Sequence, residues 1–144
     1  MKPIQIFFFK EGIKLRLSEK NELRNRILKL IKAEGFDLLN INFIFCTDNY
    51  LRKINKEYLG HDYFTDVITF DYSIIKKIVT GDIYISIDRV RINSVSYDTS
   101  LTEELQRVMV HGVLHLLGYD DKNKSQKFEM KKMEDRFLLK KVLK

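Results

Sequence analysis

One segment near the C-terminus constrains the fold more than any other part of the chain. Ser100 is followed three residues later by Glu103, a capping-box pair in which the hydroxyl accepts from the N3 amide while the acid reaches back to the N-cap amide, so a helix is expected to begin at Leu101. Leu105, Val108, Met109, Gly112, Val113 and Leu116 then give that helix a broad apolar stripe, and Gly118 supplies a stop just beyond Leu117. A helix this apolar must be buried, so the rest of the chain has to cover it.

The preceding sequence supplies the cover. Ile4, Ile6 and Phe8 alternate with Gln5, Phe7 and Phe9, which suits a strand that is apolar on both faces. From Ser18, an expected N-cap, Leu23, Ile27, Leu30 and Ile31 recur at helical spacing until Gly35. Ile41, Phe43 and Phe45 mark a second strand, after which Asp48 is expected to cap a helix carrying Leu51, Ile54 and Tyr58 on one side and closed by Gly60. Residues 65–72 and 82–87 are β-branched and aromatic runs joined near Gly81, which predicts an antiparallel pair. A weaker helical pattern follows over residues 88–97, and Ser125 is expected to cap a last helix through Met130, Met133, Phe137 and Leu138. Strand, helix, strand, helix, two strands and then helices predict an α+β fold: one domain over residues 1–144, a small mixed sheet packed with helices.

Composition excludes several alternatives. At 144 residues, 44% hydrophobic and 32% charged, with one Pro and six Gly, the chain can build a core and is unlike a disordered or fibrous sequence. A single cysteine, Cys46, rules out an intramolecular disulfide framework and a Cys-based zinc cluster, so any metal must be held by His and carboxylates. The N-terminal apolar run is too short for a secretory leader, and no stretch approaches the roughly 20 residues needed to cross a bilayer, so a soluble, cytoplasmic protein is expected. The net charge of +6 is compatible with a polyanionic partner but equally with an ordinary lysine-rich surface.

Chemistry concentrates on the buried helix. Two of the three histidines, His111 and His115, stand four residues apart on it. At that spacing both imidazoles lie on one face, about 5–6 Å apart at Cβ, and can reach one metal ion. A bare H-x-x-x-H is more simply read as two core histidines satisfied by hydrogen bonds. The Gly118 turn changes the balance, because it returns the chain so that Asp120 and Asp121 pass near the helix end, where Asp121 can supply a third, oxygen ligand. Asp66 and Asp82, at expected strand starts, read as acids that satisfy turn amides.

The string HGVLHLLGYDD over residues 111–121 closely resembles the H-G-x-L-H-L-x-G-Y-D-H signature of the YbeY family of metal-dependent endoribonucleases. Thr65-Asp66-Val67-Ile68-Thr69-Phe70 is similar to that family's T-[DN]-V-L-S-F strand, and Gly81-Asp82-Ile83-Tyr84-Ile85-Ser86 to its G-D-I-x-I-S strand. Glu103, Glu104 and Leu105 resemble the start of its metal-site helix, Asn55 and Tyr58 its N-x-x-Y helix, and Met133 and Glu134 its C-terminal region. Two positions depart from the pattern. The family's third ligand is usually a histidine where this chain has Asp121, with Asp120 and His61 as rivals for that place, and Leu59 stands where the family commonly carries an arginine thought to serve RNA cleavage.

The resemblance implies a zincin-like metal-site helix, one zinc ion per chain held by His111, His115 and Asp121, and hydrolysis of single-stranded RNA by water activated on the metal. It further implies a role in ribosomal RNA maturation, at the small-subunit 3′ end, and in ribosome quality control, with RNA and the ribosome as partners. Lys131, Lys132, Lys140, Lys141 and Lys144 are candidate phosphate contacts. Two other readings remain: a zincin-like metalloprotease, weakened because Gly112 stands where zincins place a catalytic Glu, and a non-catalytic ribosome-assembly protein with a structural metal.

Overall fold

The computed structural model describes residues 5–142. In chain order the elements are β1 (Ile6–Lys10), α1 (Lys20–Ala33), β2 (Asp37–Cys46), α2 (Asp48–Leu59), β3 (Val67–Asp71), β4 (Ile78–Ser86), α3 (Ile87–Ser96), α4 (Leu101–Leu116) and α5 (Lys124–Val142). The sheet order is β1-β2-β4-β3, with β1 and β2 parallel, β2 and β4 parallel, and β3 antiparallel to β4. This is the α+β arrangement with a small mixed sheet that the order of patterns predicts.

Alternation sorts the strand side chains onto two faces. Ile41, Phe43 and Phe45 of β2 and Ile83 and Ile85 of β4 enter the main core, where they meet Ile27 and Ile31 of α1, Met109 and Val113 of α4, and Met130 and Phe137 of α5. The opposite face carries a smaller cluster, in which Cys46 and Ile68 pack under Leu51 and Ile54 of α2. Because α2 sits over β3 and β4, the far end of that face is open. Phe7 and Phe9 of β1 are therefore exposed, and only Ile6 and Phe8 turn to the core, so the strand is not buried on both sides as its pattern suggests. Ile4 lies outside the described residues.

Several helix starts differ from expectation, and at α2 and α5 a neighbouring side chain makes the capping hydrogen bond. Helix α1 begins after Glu19, which takes a positive φ of 55° with no side-chain cap, and Ser18 does not cap it. Thr47 caps α2 by accepting from the Tyr50 amide at 3.1 Å. Asp48 is thereby free to bind Arg89 at 2.6 Å and to accept from the Ser86 hydroxyl at 3.0 Å, tying α2 to α3. At α5 it is Asn123, not Ser125, that accepts from the Gln126 amide at 2.9 Å. Strand β4 starts at Ile78, four residues before the expected Asp82, because residues 78–81 pair with the start of β2. Tyr58 is exposed with its ring edge-on to Phe70, and Asn55 takes the buried place beside Leu51 and Ile54.

Helix α4 forms as its sequence requires, with the Ser100 hydroxyl accepting from the Glu103 amide at 3.0 Å. It crosses the sheet where Thr69 of β3 is paired with Ile83 of β4, and Gly112 is the residue at the crossing. A β-carbon there would lie 2.7 Å from Ile83 Cγ2 and 3.3 Å from Thr69 Cγ2. Ile83 is fully buried and cannot move aside cheaply. We expect Gly112→Val to destabilise the fold by about 3 kcal/mol through overpacking, and Gly112→Ala by less, because its helix propensity returns about 1 kcal/mol. Urea denaturation measures both, and an unchanged midpoint in the valine variant would show that helix and sheet are not in contact at this residue.

Candidate metal centre

With Gly112 against the sheet, the other side of α4 carries a polar stripe, Glu104, Arg107, His111 and His115, at spacings of three and four residues. The last two imidazoles converge: His111 Nε2 and His115 Nε2 are 3.1 Å apart. Asp121 completes a triangle, its Oδ2 lying 3.3 Å from His111 Nε2 and 3.5 Å from His115 Nε2. Two ligands at about 2.0–2.1 Å from one ion at the tetrahedral angle stand roughly 3.3–3.4 Å apart, so the three atoms have the edge lengths of a tetrahedral metal site. His111, His115 and Asp121 are the residues among those described that group in this way.

Two of the three residues are held from behind. His111 donates from Nδ1 to Glu134 Oε2 at 2.6 Å, which leaves a lone pair on Nε2 facing the triangle. Burial disfavours the charged form of His111, but the hydrogen bond and charge of Glu134, then Asp121 and Asp66, hold its pKa above the usual value. The field that favours a proton there equally favours a metal cation. Glu134 is buried on α5 and is paired with Arg107 at 3.0 Å, while Arg107 also binds Asp135 at 2.7 Å. Asp121 is delivered by the turn after α4: Gly118 takes a φ of 98°, which disfavours residues with a β-carbon, and the Tyr119 hydroxyl then donates to Glu34 Oε1. That hydrogen bond pushes the Tyr119 pKa up to about 12 and pins the segment to the end of α1.

The rivals for the third place stand apart. Asp120 is exposed, and His61 stacks on Tyr63 with its Nδ1 3.1 Å from the Tyr63 hydroxyl. His61 and Leu59 do line, with the triad, a cleft of about 570 Å³. A second cavity of about 670 Å³ adjoins it, with Lys131 on its wall; Lys132 is exposed and lines neither, and the side chains of Lys140, Lys141 and Lys144 lie outside the described residues. Asp66 does accept from backbone amides, its own and that of Val67, as a turn acid should, and also from Asn93 at 3.2 Å. It also faces both cavities, which its place before a strand did not reveal. Asp82 lies within β4, not at its start, and accepts from Asn42 at 3.0 Å. Burial raises the Cys46 thiol to about 12, which removes it as a nucleophile. The pairing of Glu134 with His111 was not visible locally; its signal was the likeness of Met133 and Glu134 to the family's C-terminal region.

Fold and site define a small α+β protein with a His-His-Asp cluster suited to a divalent metal. The family described as Endoribonuclease YbeY matches residues 5–142, and the chain belongs to that family. It is 45% identical over 135 residues to the endoribonuclease YbeY of Cytophaga hutchinsonii, covering 94% of each chain, and 45% identical over 139 residues to that of Amoebophilus asiaticus, covering 96% of this chain and 95% of the other. A solution structure from Thermotoga maritima superposes with a TM-score of 0.66 at 28% identity, covering 96% of this chain and 91% of that one.

Since Glu134 orients His111, Glu134→Gln is expected to weaken divalent-metal affinity about 10–100-fold. Competition titration against a chromogenic chelator measures this, and unchanged affinity would remove Glu134 from the site.

Proposed function

We propose that the protein is a zinc-dependent endoribonuclease that cuts single-stranded RNA, acting in the cytoplasm on ribosomal RNA during small-subunit 3′-end maturation and ribosome quality control. Family membership supports the RNA substrate. The metal reading rests on one observation, the 3.1–3.5 Å triangle of His111, His115 and Asp121 at a place where two cavities meet. Two imidazoles and one carboxylate suit zinc, whereas magnesium and calcium favour all-oxygen sites. Bound there, zinc would lower the pKa of a water toward about 7 and polarise a phosphodiester.

The chain's own residues perform the remaining tasks. Glu134 fixes the His111 tautomer, and Arg107 holds Glu134. Lys122, Lys127 and Lys131 line the two cavities and supply positive charge for the phosphates of a strand. Asp66 faces the same cleft, where burial raises its carboxyl pKa despite the pull of His111. The protease reading loses ground on steric grounds, since there is no room for a glutamate at the Gly112 crossing. A purely structural metal is disfavoured because three protein ligands bordering open cavities leave the fourth position accessible.

Asp121→Ala is expected to bind zinc more weakly than wild type with the fold retained, and Asp121→His to recover affinity. Should Asp120→Ala or His61→Ala lose zinc while Asp121→Ala keeps it, the third ligand belongs to that neighbour. Cleavage of single-stranded RNA should vanish in His115→Ala, with duplex RNA a poor substrate for wild type. The affinity of the wild-type protein for single strands should fall with salt at a logarithmic slope of about −0.7 per phosphate contact. A flat salt dependence together with uncut RNA would sink the nuclease reading.

A further inference from the structure

The cavity of about 670 Å³ beside the triad lies among the end of α3, the polar stripe of α4 and α5, and it contains a feature that the metal site does not use. Glu104 is 3% exposed, yet its Oε1 has no hydrogen-bond partner among the described residues; the Thr99 hydroxyl on the same wall has none either. Arg107, one turn further along α4, is already committed to Glu134 and Asp135. A buried acceptor without a donor destabilises a fold, so this carboxylate is suited to a ligand that brings the donor.

Placement says what that ligand is. Glu104 precedes His111 by seven residues on the same side of α4, a rise of about 10 Å, comparable with the span of one nucleotide from its phosphate to the far edge of its base. A strand with a phosphate at the triad can therefore lay a base against Glu104. Tyr97, 65% exposed at the end of α3, borders the same cavity and offers a ring face for stacking. A carboxylate only accepts. Guanine presents an imino and an amino hydrogen side by side on its pairing edge, whereas adenine and cytosine set an acceptor beside their amino group and uracil flanks its imino hydrogen with two carbonyls.

We propose that this cavity is a base-recognition subsite for guanine, with Glu104 accepting from the guanine pairing edge and Tyr97 covering the base. The inference rests on the RNA-cleaving reading for its substrate, but its test does not depend on cleavage. Binding of guanosine, inosine and adenosine 5′-monophosphates to the zinc-loaded protein is measured by titration calorimetry. All three carry the same phosphate, so differences report the base alone. Wild type should prefer the guanosine nucleotide over inosine, which lacks the amino group, by about tenfold, with adenosine weaker still. Glu104→Gln should bring the guanosine-to-inosine ratio close to one. Equal binding of the three nucleotides by wild type overturns the proposal without recourse to any variant, as does an unchanged ratio in a folded Glu104→Gln protein. Single strands with guanosine or inosine at one position then separate the two readings. RNA cut without preference refutes the subsite alone, while a Glu104-dependent guanosine preference in a protein that cuts no RNA supports the subsite and refutes the nuclease.

Discussion

The bare crossing of α4 over the Thr69–Ile83 pair is the contact on which the rest of the structure depends. With no side chain at residue 112, the helix backbone lies close on the sheet, and its rotation about its own axis is set by that approach. Leu105, Met109 and Val113 are then buried in the main core, while Glu104, Arg107, His111 and His115 form the stripe bordering the cavities. A β-carbon at this position would push the helix away or turn it, and the two imidazoles would move with it. One missing methyl group thus links the packing of the core to the aim of the two imidazoles.

Around that stripe the electrostatics are layered. Asp121, Glu134 and Asp66 surround His111, and Arg107 neutralises part of this charge from below. An acidic centre repels phosphate, so a polyanion can occupy it only when a cation sits among the carboxylates. Lys122, Lys127 and Lys131 border the same two cavities, so the acidic cluster has basic side chains on its rim. The chain is basic overall, at +6, while this cluster is acidic.

The segments that bring the site together are short and tethered at defined points. Tyr119 is held to Glu34 at the end of α1, and Asn55 of α2 donates to the Tyr63 carbonyl at 3.2 Å, fixing the loop that carries His61 toward the cleft. Helix α5 is anchored by the buried Met130, Met133, Phe137 and Leu138, and by Arg26 of α1, which stacks over the Phe137 ring at 4.1 Å. Those contacts place Glu134 behind His111. The orientation of the His111 imidazole therefore depends on packing between the first and last helices, far from it in sequence.

What could be read from the sequence was what depends on near neighbours. The Ser100 cap, the apolar stripe of α4, the His111–His115 spacing and the Gly118 stop are all set within one or two turns, so periodicity and backbone preference determine them. The antiparallel β3–β4 pair was legible for the same reason, since its partners adjoin in the chain. Tertiary structure decided whatever needed a distant partner. Thr47 displaced Asp48 as a cap because Arg89 and Ser86 claimed the acid, β4 lengthened because β2 offered it amides, and Phe7 and Phe9 stayed exposed because no helix reached them. The pairing of Glu134 with His111 and the unsatisfied Glu104 belong to the same category. A hydrogen bond or a burial cost between residues tens of positions apart has no local signature, and it exists only once the core has brought the helices together.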